Sequence, residues 1–172
     1  MISEKLSKAL SDQLNAEYYS AYLYLSMSAA ADGLGLKGAA NWLFVQAKEE
    51  MAHGTHIYEY VLDRDASPSF ASIESPPNNF LGLGEIFEMV LSHERKVTQG
   101  INSISTLAMQ EGDHACYQFM MWYVNEQVEE EANAKEILDK LRLIGDDKAM
   151  LLTLDNELAA RVFVDPFPAK IN

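Results

Sequence analysis

The chain has 172 residues, of which 48% are apolar, and it carries a formal net charge of −13. This length suits one domain with a substantial core, so we expect a single domain over residues 1–172. No apolar run approaches the length of a membrane span, and so acidic a surface repels nucleic acid and anionic membranes, so neither is an expected partner. The start lacks the pattern of a secretion signal, and the single cysteine, Cys116, fits a reducing cytoplasm.

Helix-breaking residues separate the first two predicted helices. Ser3 is a suitable N-cap for a first helix that runs to about Ala31, and a second helix runs from about Lys37 to Arg64. The glycines between them predict a tight connection. In both segments the apolar residues recur at intervals of three, four and seven, which is typical of a buried helical face.

Two further long helices are predicted in the second half of the chain. The third begins near Gly84 and ends at Gly112, and Asp113 is a suitable N-cap for a fourth that runs to Ile144 and stops at Gly145. The link between them is short, as it is between the first two helices. Each pair is therefore expected to form an antiparallel hairpin.

The segment between the two hairpins, about residues 65–83, has no helical periodicity and holds three prolines. A loop of this length is unusual inside a compact domain, but it can carry the chain along the full length of a helix bundle. A short fifth helix is expected from about Asp147 to Phe163, before a tail broken by Pro166 and Pro168. The sequence therefore predicts an all-α four-helix bundle with one long crossover and a short C-terminal helix.

Side chains that can bind metal repeat along the four long helices. They are Glu17, Glu50 and His53 in the first hairpin, and Glu94, Gln127 and Glu130 in the second. In each hairpin the first two of these residues are 33 positions apart, since 50 − 17 and 127 − 94 both equal 33. Adding 77 to the three positions of the first hairpin gives the three positions of the second. The two hairpins therefore place oxygen and nitrogen ligands at equivalent points, near mid-helix and on the apolar side.

Four carboxylates in one core need compensating charge. Each buried ion costs several kcal/mol, against a whole-domain stability of about 5–15 kcal/mol. No arginine or lysine on these four helical faces is placed to offset them, whereas two bound cations would turn repulsion into ligation. Carboxylates with one imidazole and no cysteine suit iron or manganese better than structural zinc. The Glu50-x-x-His53 pair is typical of dinuclear carboxylate bundles, with Glu50 and Glu130 placed to bridge the metals.

Several segments also resemble a known family. They are residues 15–25, 46–53, 122–131 and 141–146. In this order and spacing they resemble the ferritins, in particular the haem-free ferritins of bacteria and archaea, over essentially the whole chain. The resemblance implies a ferritin-like bundle and a ferroxidase, which oxidises Fe(II) with O2 or peroxide and stores Fe(III) as a mineral inside a cage of 24 identical subunits.

The resemblance also assigns roles to residues. One iron would be held by Glu17, Glu50 and His53, and the other by Glu50, Glu94 and Glu130. Gln127 would lie nearby as a hydrogen-bonding group or weak ligand. Tyr24, seven residues after Glu17 and on the same face, would hydrogen-bond a ligand or supply an electron; the alternative is an ordinary core tyrosine.

A second acidic group, Glu49, Glu126 and Glu129, lies about 100° around the helices from the first. In prokaryotic ferritins such residues bind a third iron, and here we expect weaker binding because the groups should be more exposed. The alternative is a solvated acidic face. Met51 stands where bacterioferritins place a haem-ligating methionine, but it also fits ordinary ferritins, so no haem is expected.

Two departures from related families bear on function. Tyr117 and Met120 stand where animal ferritins carry the carboxylates of an iron pore, so that entry route is in doubt. The fourth helix has Gln127-x-x-Glu130 instead of the second Glu-x-x-His of bacterioferritins. Two alternatives remain: a non-storage di-iron oxidase or peroxidase, and a metal-free helical binding module. The single cysteine argues against peroxidases that carry a Cys-x-x-Cys iron domain, and the buried carboxylates argue against a metal-free module.

Overall fold

The computed structural model describes residues 2–167, and the helices in it account for most of that length. No β-strand occurs in these residues, so the all-α prediction is confirmed. Pro168, expected to break the tail, lies outside the described residues. No helix in the described part is long and apolar enough to cross a membrane. The helices are α1 (Glu4–Gly33), α2 (Lys37–Asp63), α3 (Leu83–Glu111), α4 (His114–Ile144) and α5 (Lys148–Leu158).

Side-chain caps set the beginnings of two long helices, as predicted. The Ser3 hydroxyl accepts a hydrogen bond from the Leu6 N–H at 3.1 Å, and the Asp113 carboxylate accepts one from the Cys116 N–H at 2.9 Å. Between α3 and α4, Gly112 adopts a left-handed conformation with φ of 69°, which glycine reaches without steric cost. The second hairpin therefore turns tightly at Gly112 and Asp113, the two residues predicted to end α3 and to begin α4.

The N-terminus of α2 is capped from a distance instead. Leu36 at the N-cap offers no side-chain acceptor, and the buried Asp155 of α5 accepts a hydrogen bond from the Ala39 N–H at 2.8 Å. At Gly38, an added Cβ would lie 1.6 Å from the carbonyl oxygen of Asp155. The backbones of α2 and α5 thus touch directly, which only glycine permits.

The fifth helix is shorter than predicted. It ends at Leu158, not near Phe163. Beyond this point the Asn41 side-chain amide donates hydrogen bonds to the carbonyl oxygens of Ala159 at 3.3 Å and Arg161 at 2.9 Å. These contacts with α2 replace helical hydrogen bonds, so the chain leaves the helix and follows α2.

The long crossover lies along α1. The Asn15 side chain donates to the carbonyl oxygen of Ser69 at 2.9 Å and accepts from the N–H of Ala71 at 2.8 Å. Further along, the Ser26 hydroxyl donates to the carbonyl oxygen of Pro77 at 2.6 Å. The loop therefore carries the chain from one end of the bundle to the other, and α3 begins near the end of α1.

The apolar core is divided into two clusters, one toward each end of the bundle. One cluster includes Leu43 and Phe87, and the other includes Leu10 and Ile57. A layer of polar side chains, each at most 5% exposed, lies between them. Its members are Gln13, Glu17, Gln46, Glu50, His53, Glu94, Gln127 and Glu130.

Candidate metal centre

The polar layer contains one compact set of ligand atoms. Glu17, Glu50 and His53 each place one ligand atom within 4.8 Å of the other two, and all three are at most 3% exposed. In the described part of the chain this is the only such group of three or more His, Cys, Asp or Glu residues. Gly54 helps α1 and α2 approach, since an added Cβ would lie 2.5 Å from the Tyr18 ring.

Two polar atoms of this set are buried without a hydrogen-bond partner. They are Oε2 of Glu17 and Nε2 of His53. The other Glu17 oxygen accepts a hydrogen bond from the Gln13 amide at 2.8 Å. An unsatisfied buried polar atom costs about 1–3 kcal/mol, so two on adjacent side chains need a reason. Both are donor atoms that a divalent cation would use, so the set fits a metal ion.

Glu94 is held by hydrogen bonds from two helices. Tyr24 of α1 donates its hydroxyl to one carboxylate oxygen, and the amide of Gln127 donates to the other at 3.1 Å. The same Gln127 amide also lies 3.2 Å from the Glu94 carbonyl oxygen. Gln127 therefore acts here as a hydrogen-bond donor that orients Glu94, one of the two roles expected for it.

Glu94 and Glu130 lie in the same buried layer but outside the compact set. Burial and the Glu94 charge raise the pKa of Glu130 to about 8. Burial and the Glu94 charge likewise raise the pKa of Glu50 well above its ordinary value. The second predicted set is therefore in electrostatic contact with the first through Glu50.

Burial is also the largest cause of the raised pKa values of Glu17 and Tyr24. The pKa of Glu17 is well above its ordinary value because the carboxyl is buried, with the Glu50 charge as the next cause. Burial, followed by the Glu94 charge, also raises the pKa of Tyr24 well above 10, so this phenol is neutral and able to donate at physiological pH. A metal ion that binds these carboxylates therefore competes with protons.

The second acidic group lies at the edge of this layer and is more exposed, as expected. Glu49 and Glu126 are partly buried and Glu129 is exposed. Burial raises the pKa of Glu49, and the charge of Arg161 opposes this effect. The charges of Glu126 and Glu129 raise it further, but among the described residues the ligand atoms of these three carboxylates do not form a compact set like that of Glu17, Glu50 and His53.

Two amides that orient the ligands were missed at the sequence level. The Gln13 amide donates to Glu17, and the Gln46 amide donates to Glu50 at 3.1 Å. Each precedes its glutamate by four residues, and 46 − 13 is again 33, so the same interval would have identified them. Tyr123 was also missed; its hydroxyl donates to the His53 carbonyl oxygen at 3.0 Å.

Arg161 changes the expected charge balance. The four long helices indeed supply no cation to the layer, but the guanidinium of Arg161 reaches Glu49 and Gln46 from the segment beyond α5. The two positions that match the pore carboxylates of animal ferritins are not freely exposed. Met120 is fully buried within the core of its own chain, and Tyr117 is partly buried.

The sequence of this chain is similar to those of known ferritins over most of its length. The model of the ferritin-like domain family matches residues 7–144. Bacterial non-heme ferritins of Staphylococcus haemolyticus and Staphylococcus aureus are each 40% identical over 163 residues, covering 95% of this chain and 98% of theirs.

Solved structures agree closely as well. An open pore ferritin from Archaeoglobus fulgidus superposes with a TM-score of 0.93 at 49% identity, covering 94% of this chain and all of that one. A humanized archaeal ferritin superposes with a TM-score of 0.94 at 48% identity, covering 95% of this chain and 99% of that one. The chain therefore belongs to the ferritin family, as a non-haem iron-storage ferritin of the prokaryotic type.

Proposed function

We propose that this chain is a ferroxidase that oxidises Fe(II) to Fe(III) at a dinuclear centre and passes the product into a ferric mineral. The observation that carries this proposal is the buried set of Glu17, Glu50 and His53, with two ligand atoms that have no protein partner. We further propose a cage of 24 chains in the cytoplasm, each chain forming one domain over residues 1–172.

The proposed roles follow the two sets of ligands. One iron is held by Glu17, Glu50 and His53, and the other by Glu50, Glu94 and Glu130. Gln127 orients Glu94 through its amide. Anionic oxygen ligands in a dry layer stabilise the 3+ ion more than the 2+ ion, because the attraction grows with the charge of the metal. The protein therefore lowers the cost of removing an electron from iron.

The electrons and protons balance with O2 or peroxide as the acceptor. Two Fe(II) ions give up two electrons, and O2 takes these with two protons to form H2O2. When H2O2 is the oxidant, it takes two electrons and two protons and yields two water molecules. Fe(II) binding itself releases protons from the carboxyls whose pKa values burial has raised.

Tyr24 and the second acidic group have supporting roles in this proposal. Tyr24 holds Glu94 in place through its hydroxyl and can supply an electron from beside the centre. Glu49, Glu126 and Glu129 bind a third iron more weakly and more exchangeably, because they are more exposed than the dinuclear ligands. We propose that the chain binds no haem.

Aerobic loading with Fe(II) at large molar excess tests this function. After size exclusion, iron and protein are counted in the same fractions. We expect rapid oxidation and far more than three iron atoms per chain, eluting with a very large particle. Saturation at two or three iron atoms per chain on a small oligomer would instead indicate a non-storage di-iron enzyme.

A further inference from the structure

Arg161 contacts one residue of the polar layer, Gln46, and one residue of the second acidic group, Glu49. One guanidinium nitrogen donates to Oε1 of Gln46 at 2.7 Å, and another donates to a carboxylate oxygen of Glu49. The guanidinium carbon is 4.2 Å from the centroid of the Trp42 ring. Because the side chain is only 20% exposed, this is a partly desolvated ion pair with fixed geometry.

The fold holds this arginine in place from two sides. Its own carbonyl oxygen accepts a hydrogen bond from the Asn41 amide at 2.9 Å. The preceding helix is docked on α2 through Asp155, whose backbone touches Gly38. The position of Arg161 is therefore set by the packing of α5 on α2.

The arginine also fixes the orientation of a buried amide. A guanidinium has only donors, so the Gln46 oxygen must face it. The Gln46 nitrogen then faces Glu50, to which it donates at 3.1 Å. Since Gln46 is fully buried, Arg161 acts on the dinuclear ligands through this amide.

We propose that Arg161 is a positioning residue that neutralises Glu49 in the absence of metal, and that a metal ion binds Glu49, Glu126 and Glu129 in exchange for it. This inference rests on the proposed third site. The guanidinium occupies one Glu49 oxygen and already neutralises this carboxylate, and its positive charge repels an incoming cation. The third ion therefore binds more weakly than it would without Arg161, while Gln46 remains held.

Zinc binding to the assembled, metal-free protein tests the exchange, because Zn²⁺ is not oxidised. Calorimetric titrations compare the parent with Arg161→Gln and Glu49→Gln. We expect two tight equivalents per chain in all three proteins, and a weaker third equivalent that Glu49→Gln abolishes. Arg161→Gln should tighten that third equivalent roughly tenfold, the scale of a lost charge-assisted contact. Arg161→Lys keeps the charge but loses the fork, so its affinity should lie between those of the parent and the glutamine variant.

An unchanged or weaker third equivalent in Arg161→Gln overturns the proposal, even if the melting temperature falls. Missing tight equivalents in every protein would instead contradict the dinuclear centre, so the two failures are distinct. A crystal structure of the parent with excess zinc provides a test without a variant. It should show the guanidinium away from Glu49, and a structure with three zinc ions and an intact Arg161–Glu49 pair would overturn the exchange.

Discussion

At the scale of single residues, the two atoms without partners distinguish the centre from the other buried polar groups. Glu94 accepts hydrogen bonds from Tyr24 and Gln127, whereas Oε2 of Glu17 and Nε2 of His53 have none. A polar layer built only for packing would satisfy all its members. Glu17 and His53 are therefore the side chains whose removal should affect iron chemistry most directly.

Replacing His53 with alanine should slow the oxidation of Fe(II) by at least about 100-fold while the helices remain folded. The imidazole is buried and offers a ligand atom to the compact set, and its loss removes no hydrogen bond to Nε2. The initial rate at two Fe(II) per chain measures the effect. His114→Ala, at an exposed position at the start of α4, is the matched control, and equal rates in all three proteins would show that the centre is misassigned.

The metal-free protein should lose stability as the pH rises from about 4.5 to 8. The pKa of Glu130 is raised to about 8 in the folded chain from an ordinary value of 4.5, so the folded state binds more protons between these values. Protonated Glu130 therefore stabilises the folded chain fully below about pH 4.5. This stabilisation falls as the pH rises and is lost by about pH 8, and the free energy of unfolding decreases by a few kcal/mol at most.

Melting temperatures of the metal-free protein between pH 6 and 9 test this. Zn²⁺ should remove most of the decline, since it favours the deprotonated carboxylates. Glu130→Gln should flatten the profile, whereas Glu88→Gln, at an exposed position, should leave it unchanged. A flat profile for the parent protein would contradict the prediction.

The sequence could predict the six ligand candidates but not all their neighbours. Glutamates and amides on the long helices obey a fixed interval, so helical geometry alone places Glu17, Glu50 and Glu94 in one layer. Arg161 follows no such interval. Its contact with Glu49 depends on where α5 docks and where that helix ends, and both are decided by tertiary contacts.

At the scale of helices, the contact between α2 and α5 holds the segment that follows α5 against the polar layer. Asp155 replaces the missing local cap of α2, and Gly38 permits the close approach. The same contact explains why the end of α5 was mispredicted. Local signals identified Ser3 and Asp113 as caps because their partners lie three residues away, whereas the partner of Asp155 is 116 residues distant.

Replacing Asp155 with alanine should lower stability by about 1–2 kcal/mol, since it removes a buried N-cap. Because α5 also positions Arg161, the third zinc equivalent should tighten in this variant too. Differential scanning calorimetry and zinc titration measure the two effects. Asn156→Ala, at the neighbouring exposed position, should change neither, and a parent-like melting temperature for Asp155→Ala would contradict the capping role.

At the scale of the whole molecule, one chain leaves apolar side chains exposed on its first hairpin. Tyr22 and Leu25 on α1 are 49% and 43% exposed, and Phe44 and Met51 on α2 are 44% and 49% exposed. The spacings of three and seven residues place each pair on one helical face. Clustered exposed apolar groups mark interfaces, which agrees with the homo-oligomers that ferritins form.

Replacing Leu25 with glutamate should weaken assembly without unfolding the chain. A charge buried in a subunit interface without a partner costs several kcal/mol, and a symmetric interface contains it more than once. The matched control is Gln99→Glu, which adds the same charge at an exposed polar position on α3. Sedimentation velocity should show small species for Leu25→Glu at micromolar concentration and a parent-like particle for the control, with equal helix content by circular dichroism. Because all the proposed iron ligands lie in one chain, dissociated Leu25→Glu should still oxidise about two Fe(II) per chain but retain no mineral. A parent-like particle for Leu25→Glu would remove this face from the interface.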